Sequence, residues 1–123
     1  MKLNKVTGFG GGSFHDVTIR TTPKKLIKLF QYFGLEYWEQ NDGSDKVNFD
    51  FEATLDDGTY FSLYDWKIYE PLDLNSKYEF HIGGESPSST LKAKQTLKTL
   101  LLLMNNMDLM HKINEIEGMI INN

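Results

Sequence analysis

Two periodicities divide the chain, an alternation of apolar and polar residues in short stretches and a recurrence every third or fourth residue in longer ones. In KVNFDFEATL (46–55), Val47, Phe49, Phe51 and Ala53 fall on one side and Asn48, Asp50 and Glu52 on the other, which is the pattern of a half-buried strand. DDG (56–58) supplies a hairpin turn, and TYFSLYDWK (59–67) returns as a strand with large side chains on both faces. Tyr60, Ser62, Tyr64 and Trp66 share one side of it, and Phe61, Leu63, Asp65 and Lys67 the other. After the connection EPLDLNS, KYEFHIGG (77–84) points Tyr78, Phe80 and Ile82 one way and Glu79 and His81 the other. Two further strands are predicted at Lys2–Thr7 and Ser13–Arg20, joined as a hairpin by the glycine-rich GFGGG. A phosphate cradle at those glycines would need a helix directly after them, and a strand-like SFHDVTIR follows instead.

The helical period appears twice. TTPKKLIKLFQYFG carries a capping Thr22, Pro23 at the first helical position and Gly34 just past the end. Its Leu26, Ile27, Leu29, Phe30 and Phe33 form a stripe suited to packing on a sheet. The second helical stretch starts at Ser86-Pro87. Ala93, Leu97, Leu100, Met104 and Met107 follow a 4-3-4-3 spacing, and Leu109, Ile113, Ile116 and Ile120 repeat it out of phase. Either one long helix carries two seams, or it breaks near Asn105-Asn106. LLLLM is apolar all round and is expected to be buried. The fold class that follows is α+β: one domain over 1–123, a mainly antiparallel sheet of about five strands, helices packed on one face and an apolar C-terminal helix. One domain of 123 residues offers little surface to cover both seams. The segment 87–121, and Leu109, Ile113, Ile116 and Ile120 in particular, is therefore expected to make a homo-oligomer contact. The alternative is a C-terminal helix folded back on its own sheet.

Composition narrows the chemistry. The net charge is −4, so long-range attraction to a nucleic-acid backbone is not expected, although a local basic patch is compatible with it. With no cysteine and three histidines, neither a disulfide frame nor a metal site is expected, and no cofactor is implied. No signal-peptide pattern and no apolar run of membrane-spanning length stands out, which points to the cytosol and away from a membrane. Ser13 with His15, and His81 with Ser86 and Ser88, are near in sequence, but no hydrolase, kinase or metal motif is present, so no catalytic residue is assigned.

Binding chemistry gathers around the last hairpin. Tyr60, Tyr64, Trp66, Tyr69 and Tyr78 offer flat rings that either stack a planar ligand or merely staple the sheet. Asp65, Lys67 and His81 are polar groups within strands, either contacting a ligand or lying on an open face. HIGGESPSS places Gly83, Gly84 and Ser86 at a helix start, whose free N–H groups favour an anion, although capping alone explains Ser86. Lys92 and Lys94, in the first turns of that helix, either reach a phosphate or are merely solvated.

The residues Asp57, Gly58, Tyr64, Asp65, Trp66, Lys67, Tyr69, His81, Gly83 and Gly84 carry a resemblance. DGTYFSLYDWKIYEPL followed by EFHIGG and a helix resembles small accessory proteins of phages and large DNA viruses. Those have a DGTxFxIYDWKxY core and a later strand ending in W/F-HIGG. The similarity runs from about Thr22 to Gln95, with Phe80 where tryptophan is common and SLYDWK in place of TIYDWK. It implies a viral origin and a place in the host cell cytoplasm. Proteins of this kind often counter host defence, by sequestering a small nucleotide-type signal as a homo-oligomer or by blocking a host protein. The expected ligand-binding set is then Tyr64, Asp65, Trp66, Lys67, Tyr69, His81, Gly83, Gly84 and Ser86.

Overall fold

The structure is a computed structural model that describes residues 1–8 and 11–122, with the side chains of 107–111 and 120–122 outside that description. Strand β1 (Ser13–Thr21) leads into helix α1 (Pro23–Tyr32), where Thr22 Oγ1 accepts from the Lys25 N–H at 3.2 Å. The helix stops at Gly34, whose φ of 69° lets Leu35 N–H reach Phe30 O at 2.9 Å and Gly34 N–H reach Gln31 O at 3.0 Å. There follow β2 (Trp38–Glu39), β3 (Phe49–Thr54), β4 (Tyr60–Tyr64) and β5 (Tyr78–Gly84). Helix α2 (Pro87–Met104) is capped by Ser86, which accepts from Ser89 N–H at 3.1 Å. It ends in short-range bonds from Asn105 N–H to Leu102 O and from Asn106 N–H to Leu103 O, and α3 (Met107–Asn122) starts afresh. The break thus falls at the Asn105-Asn106 step.

All strand pairs are antiparallel and the sheet order is β1-β5-β4-β3-β2. Register sets the two faces. Phe51 lies opposite Leu63, Leu63 opposite Ile82, and Ile19 opposite Phe80, so these side chains share one face. Phe30 and Leu29 of α1 and Ala93, Leu97 and Leu100 of α2 join them in a single buried cluster. Five phenylalanines, Phe30, Phe49, Phe51, Phe61 and Phe80, are fully buried, each contributing about 1.5–3 kcal/mol of transfer free energy. The opposite face carries Asp50, Glu52, Ser62, Tyr64, Thr18, Glu79 and His81, and no described helix packs over it.

Four expectations are corrected. Lys2–Thr7 is not a strand: only Asn4 bridges, exchanging 2.9 Å backbone bonds with Thr54 at the β3 end of the sheet. It is not the hairpin partner of β1, which pairs with β5 at the other side; the count of five strands is completed by β2. Asn48 is not a solvent-side strand residue but fully buried, because the ladder begins only at Phe49 and Asn48 turns inward to a carboxylate. LLLLM is not buried all round: Leu100 and Met104 are, while Leu102 is 72% exposed, since α2 has only one side against the sheet. Strand β1 is also irregular: between the pairs Phe14–Gly83 and Thr18–His81 it spends four steps against two in β5, with Asp16 at φ 62°.

Candidate functional site

The open face of the sheet brings four rings together. Tyr64 and His81 are cross-strand partners with ring centroids 5.4 Å apart. Trp66, just past the end of β4, stands 6.0 Å edge-on to Tyr64 and 6.4 Å from His81. Phe14 reaches over from β1 and stacks on His81 at 4.0 Å with an interplanar angle of 14°. Trp66 is 42% exposed and Phe14 37%, so two flat apolar surfaces flank the imidazole and face solvent. Lys46 and Lys67 place their ammonium groups 5.8 and 5.6 Å from the Trp66 ring. The result is an aromatic platform with two cations over its Trp66 ring. Phe14 and Lys46 are the members that sequence reasoning missed. Phe14 is far from His81 along the chain and meets it only through the pairing of β1 with β5.

The platform rests on a buried polar staple. Asp65 is fully buried, and its Oδ1 accepts from the Asn48 and Phe49 N–H groups at 2.8 and 2.9 Å. Its Oδ2 accepts from Asn48 Nδ2 at 2.9 Å, and the same amide donates to Glu70 O at 3.1 Å. Asn41 completes the lacing: its amide donates to Leu72 O at 3.0 Å and its Oδ1 accepts from Leu72 N–H. These bonds tie the 40–48 loop to the 65–72 loop. Gly43 sits at φ 75°, and a Cβ there would come within 2.6 Å of Glu70 Cα, so only glycine permits this approach. Lys67 and Tyr69 both adopt the left-handed region, at φ 55° and 53°, and Lys67 N–H donates to Lys46 O at 2.7 Å. Such a conformation costs a non-glycine residue on the order of 1–3 kcal/mol and persists where surrounding bonds fix it.

The expected binding residues therefore separate into three groups. Tyr64, Trp66, Lys67 and His81 converge on the platform, and Tyr69, 55% exposed, lies in the adjoining strained turn. Asp65 is withdrawn from the surface; its three donors leave it a structural anchor rather than a ligand contact. Gly83 and Gly84 do not open a phosphate cradle. They lie inside β5 and are paired in register, Gly83 with Phe14 and Ser62 and Gly84 with Ser13. Gly83 lacks a side chain because one would strike Ser62 Oγ, and Ser86 is five residues beyond His81, on the order of 16 Å of extended chain. Ser86 Oγ already caps α2 and bonds the Ser88 and Ser89 hydroxyls at 3.0 and 2.9 Å. Tyr60 and Tyr78 are likewise engaged elsewhere, with Glu52 and the Asp73 N–H. His15 hydrogen-bonds Gly84 O at 3.1 Å, and no Ser–His hydrogen bond occurs among the described residues.

Electrostatics distinguish the two sides of this face. Burial pulls the His81 imidazole below its ordinary value, with Glu79 opposing, so it is neutral near pH 7. Two strands away, burial and then the Glu52 charge push Asp50 up to about 6. Asp50 Oδ1 is buried without a partner. Asp50 and Glu52 border a concavity of about 500 Å³ together with Lys5, Tyr37 and Trp38. Two other concavities, of about 700 and 400 Å³, lie beside α1 and α2. None of the three is lined by Trp66 or His81. Among the described residues no three His, Asp or Glu side chains gather as metal ligands do, and no helix is long and apolar enough to cross a membrane. Of the residues expected at an oligomer contact, Ile116 is 45% exposed and Ile113 half-buried; the side chains of Leu109 and Ile120 lie outside the described residues. No protein-family model, curated protein or solved structure matches the chain.

Proposed function

We propose that the protein is a non-enzymatic binding protein that takes up a small, planar, anionic ligand of nucleotide type on the Trp66 platform, as a homo-oligomer. The observation that carries this reading is the half-exposed Trp66 ring with the Lys46 and Lys67 ammonium groups over it and His81, itself stacked on Phe14, at its flank. A base or similar ring stacks on Trp66, and the lysines meet the phosphate. The resemblance to viral accessory proteins extends the reading to a role in the host cytoplasm, removing a defence signal rather than converting it. The exposed apolar side chains of Leu102, Ile116 and Met119 support self-association along α2 and α3.

The test is calorimetric titration of cyclic dinucleotides, cyclic oligonucleotides and ADP-ribose derivatives into the wild-type chain and Trp66→Ala. Trp66→Ala is expected to weaken binding by about 1–3 kcal/mol. Its stability should stay within about 0.5 kcal/mol of wild type, since the ring is exposed. A folded Trp66→Ala that binds as wild type removes the platform from the reading. The same exposed α2 and α3 side chains favour a second reading, a module that blocks or recruits a host or viral protein. Retention of none of these ligands, with a monomeric chain, shifts the weight to that partner.

A further inference from the structure

We infer that the groove between α1, α2 and the segment leading into β5 is an anion site for a compact polyphosphate. It is separate from the Trp66 platform and stands whether or not that platform binds a nucleotide. Two adjoining concavities, of about 700 and 400 Å³, share Lys25 and Asn105. Lys24 and Lys28 line the larger; Lys77, Lys94 and Lys98 line the smaller, with Arg20 beside them. Seven of the chain's 13 Lys and Arg residues thus border one groove of a protein with net charge −4. Among the described residues neither concavity has an Asp or Glu in its lining. The ion pairs among the described residues are made by Lys92 and the N-terminus, and none by these seven side chains.

The arrangement works against local stability, which is the argument for a ligand. Lys24 and Lys28 are a like-charged i, i+4 pair on α1, and Lys94 and Lys98 are another on α2; such pairs destabilise a helix. Lys24 and Lys25 also occupy the first turn of α1, which holds no acidic residue, so they oppose the positive end of the helix dipole. An anion seated between the helices attracts each of these charges and so offsets all of the repulsions at once. The chemistry is that of several phosphates in a small volume. The lysines converge on a bounded groove, and the acidic remainder of the surface repels an extended polymer. The apolar part of the lining includes Leu101, Leu102, Met104 and the single ring of Tyr32, not a row of aromatic rings for successive bases.

The probe is inorganic tripolyphosphate, titrated calorimetrically at physiological salt into the wild-type chain, Lys94→Ala/Lys98→Ala and Trp66→Ala. Wild type and Trp66→Ala are expected to bind one equivalent alike. Lys94→Ala/Lys98→Ala is expected to bind at least about tenfold more weakly. The same double variant should melt no lower than wild type, because a like-charged pair is gone; a purely structural role for these lysines would lower its melting temperature. Three results overturn the inference: no binding of tripolyphosphate, equal binding by the lysine variant, or loss of binding on Trp66→Ala instead. Tighter binding of a single-stranded oligonucleotide at the same lysines also overturns it, in favour of a nucleic-acid backbone.

Discussion

The loops beneath Trp66 and the groove between α1 and α2 handle charge in opposite ways. At Asp65 one buried carboxylate is met by three donors, and the neighbouring backbone is laced by Asn41 and Asn48. In the groove six ammonium groups meet no carboxylate among the described residues. The first region is complete without a partner and holds strained residues in place. The second is incomplete and gains from an added anion. A self-satisfied network builds a rigid support, whereas an unsatisfied one leaves interaction energy for something else.

The sharpest way to break this contrast is Asp65→Ala. It strands the Asn48 and Phe49 N–H groups and the Asn48 amide in a buried place, and should cost about 3–5 kcal/mol in denaturant unfolding. Asp65→Asn should cost less, since one acceptor oxygen remains. A loss below about 1 kcal/mol for the alanine variant would mean that water reaches these donors. Gly43→Ala should come next, at about 2–3 kcal/mol, because the new Cβ meets the Glu70 backbone in a left-handed conformation. Trp66 fluorescence should shift with it if the two loops move as one body.

Asp50 offers the smallest and most discriminating test, because it is a buried carboxylate oxygen without the donors that Asp65 enjoys. The folded chain keeps a proton on Asp50 up to about pH 6, whereas the unfolded chain releases it near 3.8. Folding therefore takes up a proton between these values, and the stability tied to this group falls as pH rises through that window. Asp50→Asn should be more stable than wild type above about pH 6, by on the order of 1 kcal/mol once residual solvent screening is allowed for. The two melting curves should converge as pH falls towards 3.8. A constant difference across this range would show that titration of Asp50 is not its origin.

Local rules made much of this molecule legible from its residues. The alternation around Phe49 and Phe51, the caps at Thr22 and Ser86 and the stop at Gly34 all depend on near neighbours in the chain, whereas the choice between one long C-terminal helix and a break at Asn105-Asn106 stays open until the structure sets α2 and α3 apart. Local rules also grouped Tyr64 and His81 on condition that their two strands pair, which β4 and β5 do. What escaped depends on distant neighbours. Trp38–Glu39 becomes a strand only because β3 is there to pair with it. Asn48 reads as the polar half of an alternation, and nothing near it announces Asp65 as its partner. Gly83-Gly84 beside a helix start reads as an anion loop, but the neighbouring strands claim its backbone first. Lys94 reads either as reaching a phosphate at the helix start or as solvated, and the lysines of α1 carry no signal of their own until the helices are laid side by side.

The interruption in β1 has a consequence for the protein's behaviour at high concentration. β1 forms one border of the sheet, and a straight border of nine residues would invite a strand from another molecule to add on. Asp16 turns to φ 62° in the middle of it, and the added residues swing that part of the strand out of line. No incoming strand can follow the border for more than a few residues on either side. The kink that lets Phe14 lie over His81 thus also guards the sheet against growing into a fibril.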